Sequence, residues 1–108
     1  MSAKKKIKNE NIIEGQTKSG VKFKIDKRIT EDARIMYYIR NLRKYKNEKD
    51  KSTEAIDAMY SLLELMFGSG DGLMTFMNEV AFKHDGVADT EALMQELNEL
   101  FDACKLKN

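Results

Sequence analysis

The sequence predicts an α+β fold: one N-terminal β-hairpin followed by about four helices, mainly helical. Three observations predict it. A single segment, residues 21–25 (VKFKI), alternates apolar and charged side chains with a period of two, the mark of a half-buried strand. From residue 30 to near the end of the chain, apolar residues recur instead at helical spacing. The 108 residues include no proline, so no ring interrupts those helices. The length fits one small domain over residues 12–108, preceded by a basic arm over residues 1–11 that reads as mobile.

The hairpin is expected over 12–26. Val21, Phe23 and Ile25 face the core, Lys22 and Lys24 face water, and Gly20 in "KSG" supplies the turn with a positive φ. The first helix is expected over 30–45. Thr30 is a candidate N-cap, Glu31 and Asp32 suit the positive end of the dipole, and Ile35, Ile39 and Leu42 form the apolar row with Tyr38 beside them. A charged connector, "KYKNEKDKS", follows at 44–52. The second helix, about 53–67, carries Ile56, Met59, Tyr60, Leu63, Met66 and Phe67 in one stripe, which Leu62 and Leu65 widen. The third, about 71–84, carries Leu73, Met74, Phe76, Met77, Val80 and Ala81. The fourth, about 90–104, places Leu93, Leu97, Leu100, Phe101 and Cys104 on one face, with Glu96, Glu99 and Asp102 expected on the surface.

The stretch "MFGSGDGLM" at 66–74 tests for a nucleotide site, because glycine-rich loops cradle phosphates. Such a loop needs a strand before it and a Lys-Ser/Thr pair within it. Here a helix precedes it, and Leu73 and Met74 stand where that pair would be. The stretch therefore reads as a bend between helices. Gly68 is its left-handed stop, and Ser69 or Asp71 is the expected cap of the next helix.

Composition points away from an enzyme. The single histidine, His84, falls at a helix end, where its charge would complement the dipole at the surface. The single cysteine, Cys104, lies on an apolar stripe, reads as a buried thiol and points to a reducing compartment. His84, Asp85 and Cys104 have no spacing that demands a nucleophilic set, ligand clusters for a metal are missing, and no cofactor is expected. No apolar run approaches the roughly 20 residues of a membrane span, and "MSAKKKIKN" lacks the pattern of a signal peptide.

The net charge of +1 hides a division: residues 1–51 hold 16 Lys and Arg against 7 Asp and Glu, and residues 52–108 hold 3 against 11. A two-faced subunit of this kind is expected to pair head to tail, closing a ring or climbing as a spiral. The basic half also offers an alternative function, a small nucleic-acid-binding phage or plasmid regulator using Arg34, Arg40, Arg43 and Lys44, although the acidic half opposes phosphate and makes nucleic acid the lesser partner. Six of the seven methionines are internal, and Met59, Met66, Met74 and Met77 crowd the second and third helices. Flexible thioethers suit variable apolar partners. The candidate partner surface is therefore Met59, Leu62, Leu65, Met66, Met74, Phe76 and Met77.

Taken together, "TKSGVKFKID", "RITEDARIMYYIRNL", "AMYSLLELMFG" and "DGVADTEALMQELNELF" resemble, in order and texture over residues 12–104, the tail assembly chaperones of long-tailed bacteriophages and prophages, chiefly of Gram-positive hosts. The resemblance implies a small, helical, non-enzymatic protein of the bacterial host cytoplasm. Such a protein coats and solubilises the tape measure protein until tail-tube subunits polymerise around it. Many members also exist as a longer, frameshifted product; ending in "CKLKN", this chain would correspond to the short form. The family supplies no catalytic residues and no fixed client-contact positions.

Overall fold

A computed structural model describes residues 11–45 and 53–106. Strands β1 (Ile12–Gln16) and β2 (Lys22–Asp26) pair antiparallel, with Ile13 opposite Ile25 and Gly15 opposite Phe23. Phe23 and Ile25, with Val21 just before them, turn into the core, as the alternation requires, while most of β1 stays exposed. The turn closes on itself. Thr17 and Gly20 donate backbone N–H groups to Val21 O and Thr17 O, both at 2.9 Å, Thr17 Oγ1 accepts from Val21 N–H at 3.1 Å, and Gly20 has φ +94°. The expected arm, residues 1–11, lies outside the described residues except for Asn11. That residue belongs to the hairpin, because its carbonyl accepts the Lys27 N–H at 2.6 Å.

A 3-10 helix over Lys27–Glu31 connects β2 to the first α-helix, and it corrects the expected start at Thr30. Thr30 lies inside that 3-10 helix, with Oγ1 donating to Lys27 O at 2.8 Å, so it does not stand at the boundary of the next helix. Helix α1 (Ala33–Tyr45) starts one turn later behind Asp32, whose extended backbone lets Oδ1 accept from Arg34 N–H at 2.8 Å. The Arg34 guanidinium grips the same carboxylate at 2.7 Å. These hydrogen bonds hold the Asp32 carboxyl at about 2, well below its ordinary value. Asp26, which accepts from Arg28 in the same way at the start of the 3-10 helix, is also at about 2. Of the expected connector at 44–52, residues 44 and 45 end α1 and the rest lies outside the described residues.

Helices α2 (Thr53–Phe67), α3 (Asp71–Lys83) and α4 (Thr90–Ala103) match the expected spans to within one residue. Helix α2 is central and packs against α1, α3, α4 and β2. Its buried face is Ala55, Ala58, Met59, Leu62, Leu63 and Met66, so the core centres on Leu62, while Tyr60 from the expected stripe turns out to water. Helix α1 packs chiefly on α2 through Ile35, Ile39 and Leu42. Helix α4 buries Leu93, Leu97, Leu100 and Phe101, is capped by Asp89 accepting from Ala92 N–H at 2.8 Å, and closes with Cys104 buried.

The glycine stretch is a tight bend. Gly68, at φ +83°, ends α2 by donating to Glu64 O at 2.8 Å. The start of α3 differs from expectation, because neither Ser69 nor Asp71 caps it. Gly70 stands at the cap position without a side chain, and the Gly68 and Gly70 carbonyls take the first amides of the helix, from Leu73 and Met74, at 3.1 and 3.0 Å. Gly72 matters for space: a β-carbon there would overlap the carbonyl oxygen of Phe67.

Gly72→Ala is expected to cost about 1–3 kcal/mol, since backbone rather than a flexible side chain must move, and thermal unfolding will show the loss as a fall in Tm. Asp32→Ala is expected to fray the start of α1, read as faster amide hydrogen exchange at Arg34. In the native protein the Asp32 pKa is depressed, so its stabilising contribution is complete above the ordinary value of 3.8 and is lost as pH falls through about 2. Protection of the Arg34 amide should follow that window.

Candidate functional site

The seven apolar residues expected to face a partner divide sharply. Met59, Leu62, Met66 and Phe76 are buried in the core. Leu65 and Met77 are half-buried and pack against it. Met74 alone stands out in water, 52% exposed. The short bend explains much of this division. It folds α3 back on α2 so closely that Phe67 and Phe76 stack at 4.3 Å with their rings 14° apart. A partner can reach Met59, Leu62, Met66 or Phe76 only if the helices separate.

Large apolar side chains are exposed elsewhere. On α3, Met74 and Phe82 lie eight residues apart, about 80° around the helix and about 12 Å along it, with Phe82 76% exposed and Lys83 Nζ 5.4 Å from its ring centre. Val87, in the turn after α3, is also exposed. On α1, Met36 (54%) and Tyr37 (60%) are exposed beside Arg40, and with Ala33, Ile39 and Arg43 they line a shallow groove of about 370 Å³. Tyr37 meets Tyr38 edge to face at 5.3 Å. Sequence reasoning missed Met36, Tyr37 and Phe82 as surface anchors. Their signal was present, since each falls between the apolar positions of its own helix.

The four cations proposed for nucleic acid lie on or beside one face of α1 but differ in their commitments. Arg34 is held by Asp32 at 2.7 Å, and Lys44 Nζ lies 5.4 Å from the Tyr45 ring centre. Arg40 and Arg43 stand exposed beside the α1 groove. A separate cleft of about 520 Å³ lies between the hairpin and the α2–α3 bend, touching Phe23, Phe67 and Phe76, with Lys22, Lys83 and Glu79 around it.

The polar feature that the sequence reading placed wrongly is Glu96. Expected on the surface, it is 0% exposed, and its Oε2 lies 2.7 Å from His84 Nε2. Its other oxygen, Oε1, is buried with no partner among the described residues. His84, expected as a surface charge at the end of α3, is instead half-buried and bonded to α4. The register of α4 explains the correction: Glu96 follows Ala92 by one turn and precedes Leu100 by another, both of them buried, so it shares their face. Cys104 is buried as expected, and burial pushes its thiol pKa up, away from reactivity. Among the described residues, no group of three or more His, Cys, Asp or Glu is placed to hold a metal ion, and no helix is long and apolar enough to cross a membrane.

The His84–Glu96 bond makes an asymmetric expectation. His84→Ala strands a buried carboxylate and should cost about 1–3 kcal/mol or more. Glu96→Met removes the polar group with similar volume and should be near neutral or stabilising. Urea unfolding of both variants checks the contrast.

No family model, curated protein or solved structure matches this chain. The functional reading therefore rests on its own residues and on the geometry they form.

Proposed function

We propose that the protein is a non-enzymatic tail assembly chaperone, which binds a tape measure protein and keeps it soluble during phage tail morphogenesis in the cytoplasm of a bacterial host. The observation that carries this reading is the outer side of α3, where Met74 and Phe82 stand in water on a helix whose other face is used by the core. Met74 and Phe82, exposed on either side of Asn78, offer a long helical client two apolar anchor points on the outer side of one helix. Methionine and phenylalanine together combine adaptability with contact area. The mainly helical architecture behind a single hairpin agrees with the small helical proteins that the sequence resembles. The client surface lies on the outside of α3, since most of the apolar residues of α2 are committed to the core.

The test is co-expression with a tape measure protein. The wild-type chain is expected to raise the soluble fraction of that client and to co-purify with it. The double variant Met74→Ser, Phe82→Ser should keep the same urea midpoint and bind the client at least about tenfold more weakly, the loss expected when anchors worth about 1–2 kcal/mol are truncated. A client that stays insoluble with the wild-type chain contradicts the reading.

A further inference from the structure

Charge is segregated by helix in this protein. Helix α1 carries Arg34, Arg40, Arg43 and Lys44 and no acidic residue, whereas α2 carries Glu54, Asp57 and Glu64 and no basic residue. At 100° per residue, Ala33, Met36, Tyr37, Arg40, Arg43 and Lys44 fall within an arc of about 120°. That arc is opposite the buried Ile35, Ile39 and Leu42. The same spacing puts Glu54, Asp57, Tyr60, Ser61 and Glu64 within about 120° on the side of α2 opposite its buried face.

The two arcs complement each other but cannot meet within one molecule. Helix α1 packs on α2 through its apolar side, so its cationic arc points away from α2. The acidic arc of α2 likewise points away from the core. Each arc also holds exposed apolar or aromatic surface, Met36 and Tyr37 on α1 and Tyr60 on α2. Two of the four acids of α4 are less available: Glu96 is buried against His84, and Glu99 accepts the Lys18 backbone N–H at 3.0 Å.

We infer that the protein self-associates by docking the outer face of α1 on the outer face of α2 in a second copy. Arg40 and its neighbouring cations face Asp57 and its neighbouring carboxylates, and Met36 and Tyr37 pack around Tyr60. Exposed ion pairs are individually weak, so charge sets orientation and encounter rate, while the aromatic and thioether contacts supply the affinity. Each copy retains one donor face and one acceptor face, which pair reciprocally around a two-fold axis or onward along a chain. The inference goes beyond the chaperone reading and does not need a client.

Sedimentation of the full chain over a concentration series tests it, at ionic strengths of about 0.01 M and about 1 M, where the screening length falls from about 30 to about 3 Å. The wild type is expected to associate at low salt and to weaken at high salt. Arg40→Glu and Asp57→Lys should each weaken association at least about tenfold, a change of about 1.4 kcal/mol. An equimolar mixture of the two variants should restore association, because every contact between unlike copies again joins opposite charges. A wild type that stays monomeric throughout, single reversals that associate normally, or a mixture that stays monomeric would each overturn the inference. So would an Arg40→Glu variant that sheds bound nucleic acid while self-associating as before, since the α1 face would then belong to nucleic acid.

Discussion

Burial of Met59, Leu62, Leu63 and Met66 on α2 is the interaction on which the other elements depend. Each such side chain contributes about 1.5–3 kcal/mol when fully removed from water. No single neighbour can cover a face this wide, so α1, α3, α4 and β2 all pack against it. The hairpin shows the dependence most clearly. Two strands alone are marginal in water, and this pair is held because Val21, Phe23 and Ile25 close one side of the helical core.

That constraint shapes what is left for function. A buried apolar residue on α2 or at the α2–α3 bend stabilises the fold only while it stays covered, so it is not free for a partner. On the helices the large exposed apolar groups lie instead on outer faces, at Met36 and Tyr37 on α1, at Tyr60 on α2 and at Met74 and Phe82 on α3. Surface recognition and core packing thus use different residues of the same types. The three glycines of the bend separate the two roles, because a chain that turns so sharply presses Phe76 onto Phe67 and leaves Met74 outside.

Polar groups obey the same logic of position. Asp26, Asp32 and Asp89 each accept a nearby backbone amide where a helical segment begins, and this fixes the three boundaries without using the core. Glu96 is the exception. Its carboxylate is carried inward by the register of α4 and is tolerated because His84, at the end of α3, reaches it. The pair ties the last two helices together through one hydrogen bond, and directional bonds of this kind specify an arrangement more narrowly than apolar contact does.

Local chemistry in the sequence determined the class of both strands and all four α-helices, and most helix ends, but not the 3-10 helix that links them. Val21, Phe23 and Ile25 alternate as a strand must, Gly20 and Gly68 take the positive φ that their turns require, and the row of leucines on α4 is buried as its spacing demands. Such features depend on neighbours within a few residues, and those are written in the chain. The cap at Asp32 in place of Thr30 was decided by the 3-10 helix, which takes Thr30 inside itself and leaves Asp32, with its extended backbone, at the boundary where Oδ1 can accept from Arg34 N–H. The burial of Glu96, the stacking of Phe67 on Phe76 and the withdrawal of four of the seven candidate partner residues into the core were decided by tertiary structure alone. Helical periodicity defines which residues share a face. Which side of a wide apolar helix is covered, and by what, depends on contacts between elements distant in sequence, and those exist only once the helices have packed.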